Sequence, residues 1–173
     1  MRGQRISELH PEYVFLGFLA REKLHGYGLY QLFRETLGGL WHISESQMYA
    51  TLKRLEKRGW VLGEDGGPKL GGRLLSITME GRRVFETWLL APTPLSPRAL
   101  RLEFLSRLFF AQDQGPLAEK LRTDQKEVLL AELRRKAPPV QGAIDRWAQD
   151  FRQRQIRTAL EWIEGIRLEG VRW

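Results

Sequence analysis

The chain has 173 residues, 42% hydrophobic and 28% charged, enough apolar material for one medium domain or two small ones, which excludes disorder as the dominant state. Lys and Arg outnumber Asp and Glu by 28 to 21, a formal +7 that favours a polyanionic partner such as DNA, RNA or acidic membrane. The absence of cysteine excludes disulfides, thiolate zinc sites, iron–sulfur clusters and cysteine nucleophiles. The longest early apolar stretch, Tyr13 to Ala20, is too short to span a bilayer, is flanked by charge and lacks a following cleavage site. The expectation is a soluble, cytoplasmic protein without a signal peptide.

Val14, Phe15, Phe18 and Leu19 recur at helical spacing and predict a first helix from about Pro11 to Arg21. A second runs from about Gly26 to Leu37, with Tyr27, Leu29 or Tyr30, and Phe33 as its apolar side, and Gly38-Gly39 ends it as a left-handed stop. Ser44-Glu45-Ser46-Gln47 fits a capping box and opens a third helix that runs to about Arg58, where Gly59 stops it. The period then changes. Trp60-Val61-Leu62 and Leu74-Leu75-Ser76-Ile77 read as two short strands of a hairpin whose connection carries five glycines and Pro68. Thr78 then caps a fourth helix with Met79, Val84, Phe85, Trp88 and Leu89 as its apolar side.

Pro92, Pro94 and Pro97 divide the chain into residues 1–90, a hinge at 91–97, and an all-helical half at 98–173. The two halves have similar net charges, +3 and +4, so charge alone does not say which one meets a partner. Ser96-Pro97 starts a helix carrying Ala99, Leu102, Leu105, Leu108 and Phe109. Asp113 to Pro116 breaks it, and a further helix runs from Leu117 to about Ala137. The last begins near Val140, with Val140, Ile144, Trp147 and Phe151 as a heptad-like stripe that needs a partner to bury it.

Stepping 100° per residue along the third helix puts Met48, Leu52 and Leu55 on one side, and Ser46, Ala50, Lys53 and Lys57 on the other. Gln47 and Arg54 flank that polar side. A helix of this design fits the major groove of double-stranded DNA: Ala50 permits close approach, and Lys53, Arg54, Lys57 and Arg58 can neutralise phosphates. Taken alone, the same residues also describe an ordinary solvated helix face. The hairpin that follows, with Lys69 and Arg73 at its tip, completes the chain order of a winged helix and favours binding. A protein–protein docking module without DNA specificity is the alternative.

Three segments carry a family resemblance. They are Leu24-His25-Gly26-Tyr27-Gly28-Leu29, then Ser46 through Gly59, then Gly72-Arg73 with Thr78-Met79-Glu80-Gly81-Arg82. Over about Pro11 to Leu90 the chain resembles the PadR family of transcriptional regulators. The stretches Glu103 to Phe110 and Leu160 to Glu164 resemble the helical C-terminal dimerisation domain of its longer members. The resemblance implies a mainly α protein, an N-terminal winged helix-turn-helix plus a C-terminal helical dimerisation domain, acting as a homodimeric repressor on a palindromic operator and biased by a small effector. By position it places Ser46, Gln47, Tyr49, Ala50 and Lys53 at the DNA-facing helix, and Lys69 and Arg73 at the wing. The sequence departs from the family pattern at Ala50, where proline is usual, and at Leu74-Leu75, where an aromatic pair is usual.

Other chemistry finds little support. His10, His25 and His42 fall in different elements or loops without metal-ligand spacing, and no metal or cofactor is expected. The glycine pairs precede no Lys-Ser or Lys-Thr, and capping explains Ser44, so enzymatic activity is not expected. Trp88, Trp147 and Trp162 lie on apolar stripes, where core or dimer packing is the first explanation. The second is that they line a pocket for a small aromatic or hydrophobic effector.

Overall fold

The computed structural model describes residues 9–65 and 72–168. The chain forms two compact units that divide between Ala91 and Pro92.

In the first unit α1 (Glu12–Arg21) is the central element, burying Val14, Phe15, Leu16, Phe18 and Leu19. It packs against α2 (Gly26–Thr36), α3 (Glu45–Lys57) and α4 (Met79–Leu90), with the Phe15 and Phe33 rings 5.3 Å apart and Tyr13 stacked on Trp88 at 5.4 Å. Arg82 on α4 donates to the Ala20 carbonyl at 2.8 Å, satisfying one of the open acceptors at the end of α1.

Three antiparallel strands, β1 (Leu24–His25), β2 (Val61–Asp65) and β3 (Arg73–Ile77), form a small sheet in the order β1-β3-β2. β1 pairs Leu24 with Leu75 and His25 with Leu74. Two residues show no alternation, and the sequence reading missed this strand. The β2–β3 ladder runs from Val61 opposite Ile77 to Asp65 opposite Arg73.

Three expectations in this unit need correction. Met79 is 92% exposed, because it occupies the first position of α4 and only Phe85, Trp88 and Leu89 of the expected set are buried. Tyr27 is likewise exposed, leaving Leu29 and Phe33 as the buried side of α2. Gly38 and Gly39 also do not end α2 by left-handed geometry; the glycines of positive φ among the described residues are Gly59 and Gly72. Gly38 is instead required by close approach, since a Cβ there would lie 2.5 Å from the Arg34 carbonyl oxygen.

Among its described residues the second unit contains helices and no strand. Ser96 caps α5 (Pro97–Ala99), which continues without interruption through a π-helical segment (Leu100–Phe104) into α6 (Leu105–Ala111). α7 (Gly115–Arg134) begins two residues earlier than expected, because a proline in the first helical turn sacrifices no intrahelical hydrogen bond and Pro116 therefore opens the helix. α8 (Ala143–Gly165) runs antiparallel to α7: Lys126 pairs with Glu164 at 2.8 Å, and Arg152 in the first half of α8 pairs with Glu132 near the end of α7. Leu100, Phe104, Leu108, Leu121, Leu129, Ile156 and Ile163 are buried in this unit. Val140 precedes α8, and Ile144, Trp147 and Phe151 project from its first half with about two-thirds of each side chain exposed.

Candidate nucleic-acid interface

The third helix owes its start and its stop to local chemistry. Ser44 accepts the Gln47 backbone N–H through Oγ at 3.3 Å, and the Ser44 N–H donates to Gln47 Oε1 at 2.9 Å, the reciprocal pair of a capping box. At the other end Gly59 adopts φ +71°, with Trp60 N–H donating to the Leu55 carbonyl and Gly59 N–H to that of Glu56. This is a complete Schellman motif, which only a residue tolerant of positive φ can close without strain.

Between these ends Met48, Thr51, Leu52 and Leu55 are buried, and Ser46, Gln47, Tyr49, Ala50, Lys53, Arg54 and Lys57 are exposed. Several of the exposed groups are already engaged. Gln47 Oε1 belongs to the capping box, so a bidentate reading of adenine, which uses both amide atoms, requires the box to open. Arg54 donates to Thr51 Oγ1 at 2.8 Å. Arg58 lies 3.6 Å from Glu12 and 4.9 Å above the Trp60 ring, an ion pair and a cation–π contact that turn it toward the body of the unit. Ala50 is exposed in the first half of α3, where its small side chain leaves the helix surface low.

Tyr49 leans on the start of α2. A Cβ on Gly26 would lie 2.8 Å from the tyrosine ring, so the missing side chain of Gly26 makes the seat for it. A hollow of about 450 Å³ opens beside this seat, lined by Tyr27, Tyr49, Lys53, Glu56, Arg73 and Leu75 among others. Of the two wing cations expected to meet DNA, Lys69 lies outside the described residues. Arg73 stands at the start of β3, and its guanidinium turns back toward α3. Glu56 and Gly26 stand in the segments that carry the family resemblance and Gly63 among the hairpin glycines, but the sequence assigned none of them a role at the site.

Trp88, Trp147 and Trp162 fall into separate settings. Trp88 is buried in the first unit on Tyr13. Trp147 and Trp162 lie fifteen positions apart on α8, about 22 Å along its axis at 1.5 Å per residue. Trp162 packs edge-on against Phe104 with ring centroids 6.1 Å apart. Among the described residues no group of three or more His, Asp or Glu is arranged to hold a metal ion, and no helix is long and apolar enough to cross a membrane.

Three helices followed by a two-stranded wing and a fourth helix define a winged helix-turn-helix protein. The model of the transcriptional regulator PadR-like family matches residues 15–87. The negative transcriptional regulator PadR of Bacillus subtilis (strain 168) is 31% identical over 101 residues, covering 57% of this chain and 55% of that protein. The chain thus aligns with about half the length of this curated relative. Among solved structures, Bacillus subtilis PadR in complex with operator DNA is 26% identical, covering 88% of this chain and 94% of that one at a TM-score of 0.45. The same protein with p-coumaric acid is 24% identical, with coverages of 89% and 91% and a TM-score of 0.44. A PadR-like transcriptional regulator from Bacillus cereus is 22% identical, with coverages of 94% and 96% and a TM-score of 0.46.

Proposed function

We propose that this chain is a cytoplasmic, sequence-specific DNA-binding regulator that acts as a homodimeric repressor on a palindromic operator. The observation that carries this reading is the division of α3 into a buried side of Met48, Thr51, Leu52 and Leu55 and an exposed side of Ser46, Tyr49, Ala50, Lys53 and Lys57. The buried side anchors the helix. The exposed side offers hydroxyls, a small residue and positive charge to base edges and phosphates. The match of residues 15–87 to a regulator family, and similarity to a negative regulator, support repression as the outcome.

The helical unit supports self-association, because Ile144, Trp147 and Phe151 form an exposed apolar stripe that a second copy of α8 can bury. Of the three tryptophans expected to line an effector pocket, Trp88 is buried on Tyr13, and Trp147 offers an exposed indole face to a small aromatic or hydrophobic effector, which quenching of tryptophan fluorescence would report.

Selection of bound duplexes from a random pool tests the reading directly. A dimer making roughly 6–10 phosphate contacts loses about 10³- to 10⁵-fold in affinity between 50 and 200 mM salt. Recovery of no common sequence together with a shallow salt slope would leave protein–protein docking as the function of this face.

A further inference from the structure

Arg73, Glu56 and Gly63 come from three different elements, β3, α3 and β2, and meet at one point. Arg73 Nη2 donates to the Gly63 carbonyl at 2.8 Å, and Nη1 donates to Glu56 Oε2 at 3.2 Å. Nη1 also lies 2.9 Å from Glu56 Oε1, a close ionic contact outside hydrogen-bonding geometry. Asp65, the cross-strand partner of Arg73, stands 4.0 Å from Nε. A guanidinium presents its donors in a rigid planar fork, so contacts from both terminal nitrogens determine where its plane lies.

Gly63 is necessary to this arrangement for a steric reason. A Cβ there would sit 2.4 Å from Glu56 Oε1 and 2.5 Å from Arg73 Nη2, inside the space the ion pair occupies. Glu56 is the unexpected member. It is a carboxylate on the helix with the exposed cationic face, one turn from Lys53, and it borders the hollow beside Tyr49. On a surface meant for phosphates an acidic group costs affinity unless it does something else.

We propose that Glu56 is a positioning residue: it captures Arg73 and locks the wing to the groove-reading helix, setting the spacing between the two DNA-contacting elements. Arg73 then serves the interface through Glu56 and Gly63, not as a separate phosphate ligand. This inference rests on the DNA-binding reading for its consequence, though the lock itself exists in the free protein.

The test uses the full-length chain and a duplex selected from a random pool by the wild type. Simple electrostatics requires Glu56→Gln to tighten binding, because a negative charge leaves the DNA-facing surface. The lock requires the opposite, a loss of roughly three- to tenfold from freeing the wing. Gly63→Ala should weaken binding similarly with no change of charge. Arg73→Ala combined with Glu56→Gln should bind no more weakly than Arg73→Ala alone, since both remove one contact. Hydrogen exchange on the DNA-free protein gives a separate readout: amides of β3 should exchange faster in Glu56→Gln and Arg73→Ala, while α1 stays protected. Tighter binding by Glu56→Gln, additive losses in the double variant, or unchanged exchange in β3 would each overturn the lock. If the wild type selects no duplex, the DNA-binding reading fails, and hydrogen exchange alone decides whether the lock exists.

Discussion

Gln125, a buried side chain in the middle of α7, holds both backbone polar groups of Thr93: its Oε1 accepts the Thr93 N–H at 2.8 Å and its Nε2 donates to the Thr93 carbonyl at 3.0 Å. The Thr93 hydroxyl in turn accepts a short hydrogen bond, 2.5 Å, from Arg107, which pairs with Glu103 at 3.2 Å; all four residues are buried. The Pro-rich segment at the head of the helical unit is therefore fastened to α6 and α7 by side chains of matching polarity. A buried carbonyl and N–H in an irregular segment need such partners, because neither helix nor sheet supplies them.

Gln125→Leu keeps much of the volume and removes both partners of Thr93. Two buried backbone groups left unsatisfied should destabilise the protein by about 2–4 kcal/mol, read as a lowered urea midpoint with little change in slope. Arg107→Leu should cost about 3–5 kcal/mol, since it strands the Glu103 carboxylate in the core. A loss within the measurement error for both variants would show that water reaches this network.

Gly26→Ala separates a role in binding from one in folding. Its new Cβ meets the tyrosine ring of Tyr49, the flexible end of a side chain, so the fold should persist with a stability change within about 1 kcal/mol. The ring must move from its seat. Affinity for a selected duplex should fall by roughly tenfold if Tyr49 belongs to the interface. Equal losses of stability and affinity would place Tyr49 in the core scaffold alone.

The exposed stripe of α8 predicts the effect of placing charge on it. Trp147→Glu with Phe151→Glu should convert a dimer into monomers in sedimentation velocity at low micromolar concentration. Met79→Glu, on a still more exposed apolar residue of the first unit, should leave the oligomeric state as it was. Dimers that survive the double substitution would assign the association to another surface.

Glu164 carries a pH signature. The hydrogen bond from Lys126, together with the charges of Lys126 and Arg122, holds its carboxyl below the usual carboxylate range, against a small opposing effect of burial. A lowered acid contributes above its unfolded pKa and loses that contribution as pH falls through the folded value. The α7–α8 tie is thus intact at neutral pH and released only in acid. Lys126→Met should raise the Glu164 midpoint toward an ordinary glutamate in an NMR titration, and an unmoved midpoint would contradict the pairing.

Much of the winged half is legible in the sequence because its signals are local. Ser44 with Gln47, Gly59, Thr78, and Ser96 with Pro97 each state a helix boundary within a few residues, and the structure places a cap or stop at every one. The burial of Met48, Leu52 and Leu55 follows from their spacing alone. What escaped depends on tertiary contact. β1 exists only because β3 is there to pair with it. Arg73 reads as a free wing cation until Glu56, seventeen positions earlier, is seen beside it. The polar cluster around Thr93 joins side chains up to 32 positions apart, and no periodic pattern marks it. The π-helical segment is also silent, since its residues keep an ordinary helical composition.

The carbonyl of Trp60 has a consequence for how such a protein can change. It accepts the Thr78 N–H at 3.0 Å, Thr78 Oγ1 donates to the neighbouring Gly59 carbonyl at 2.8 Å, and Gly81 leaves the space above Trp60 empty of any Cβ. The hairpin is thereby cinched at its base, where it leaves and rejoins the helical body. A loop closed in this way pays little entropy for added length, since each doubling costs only about 0.6 kcal/mol. Insertions between Asp65 and Arg73 should therefore leave the base undisturbed, with the Thr78 and Gly81 amides as protected from hydrogen exchange as before.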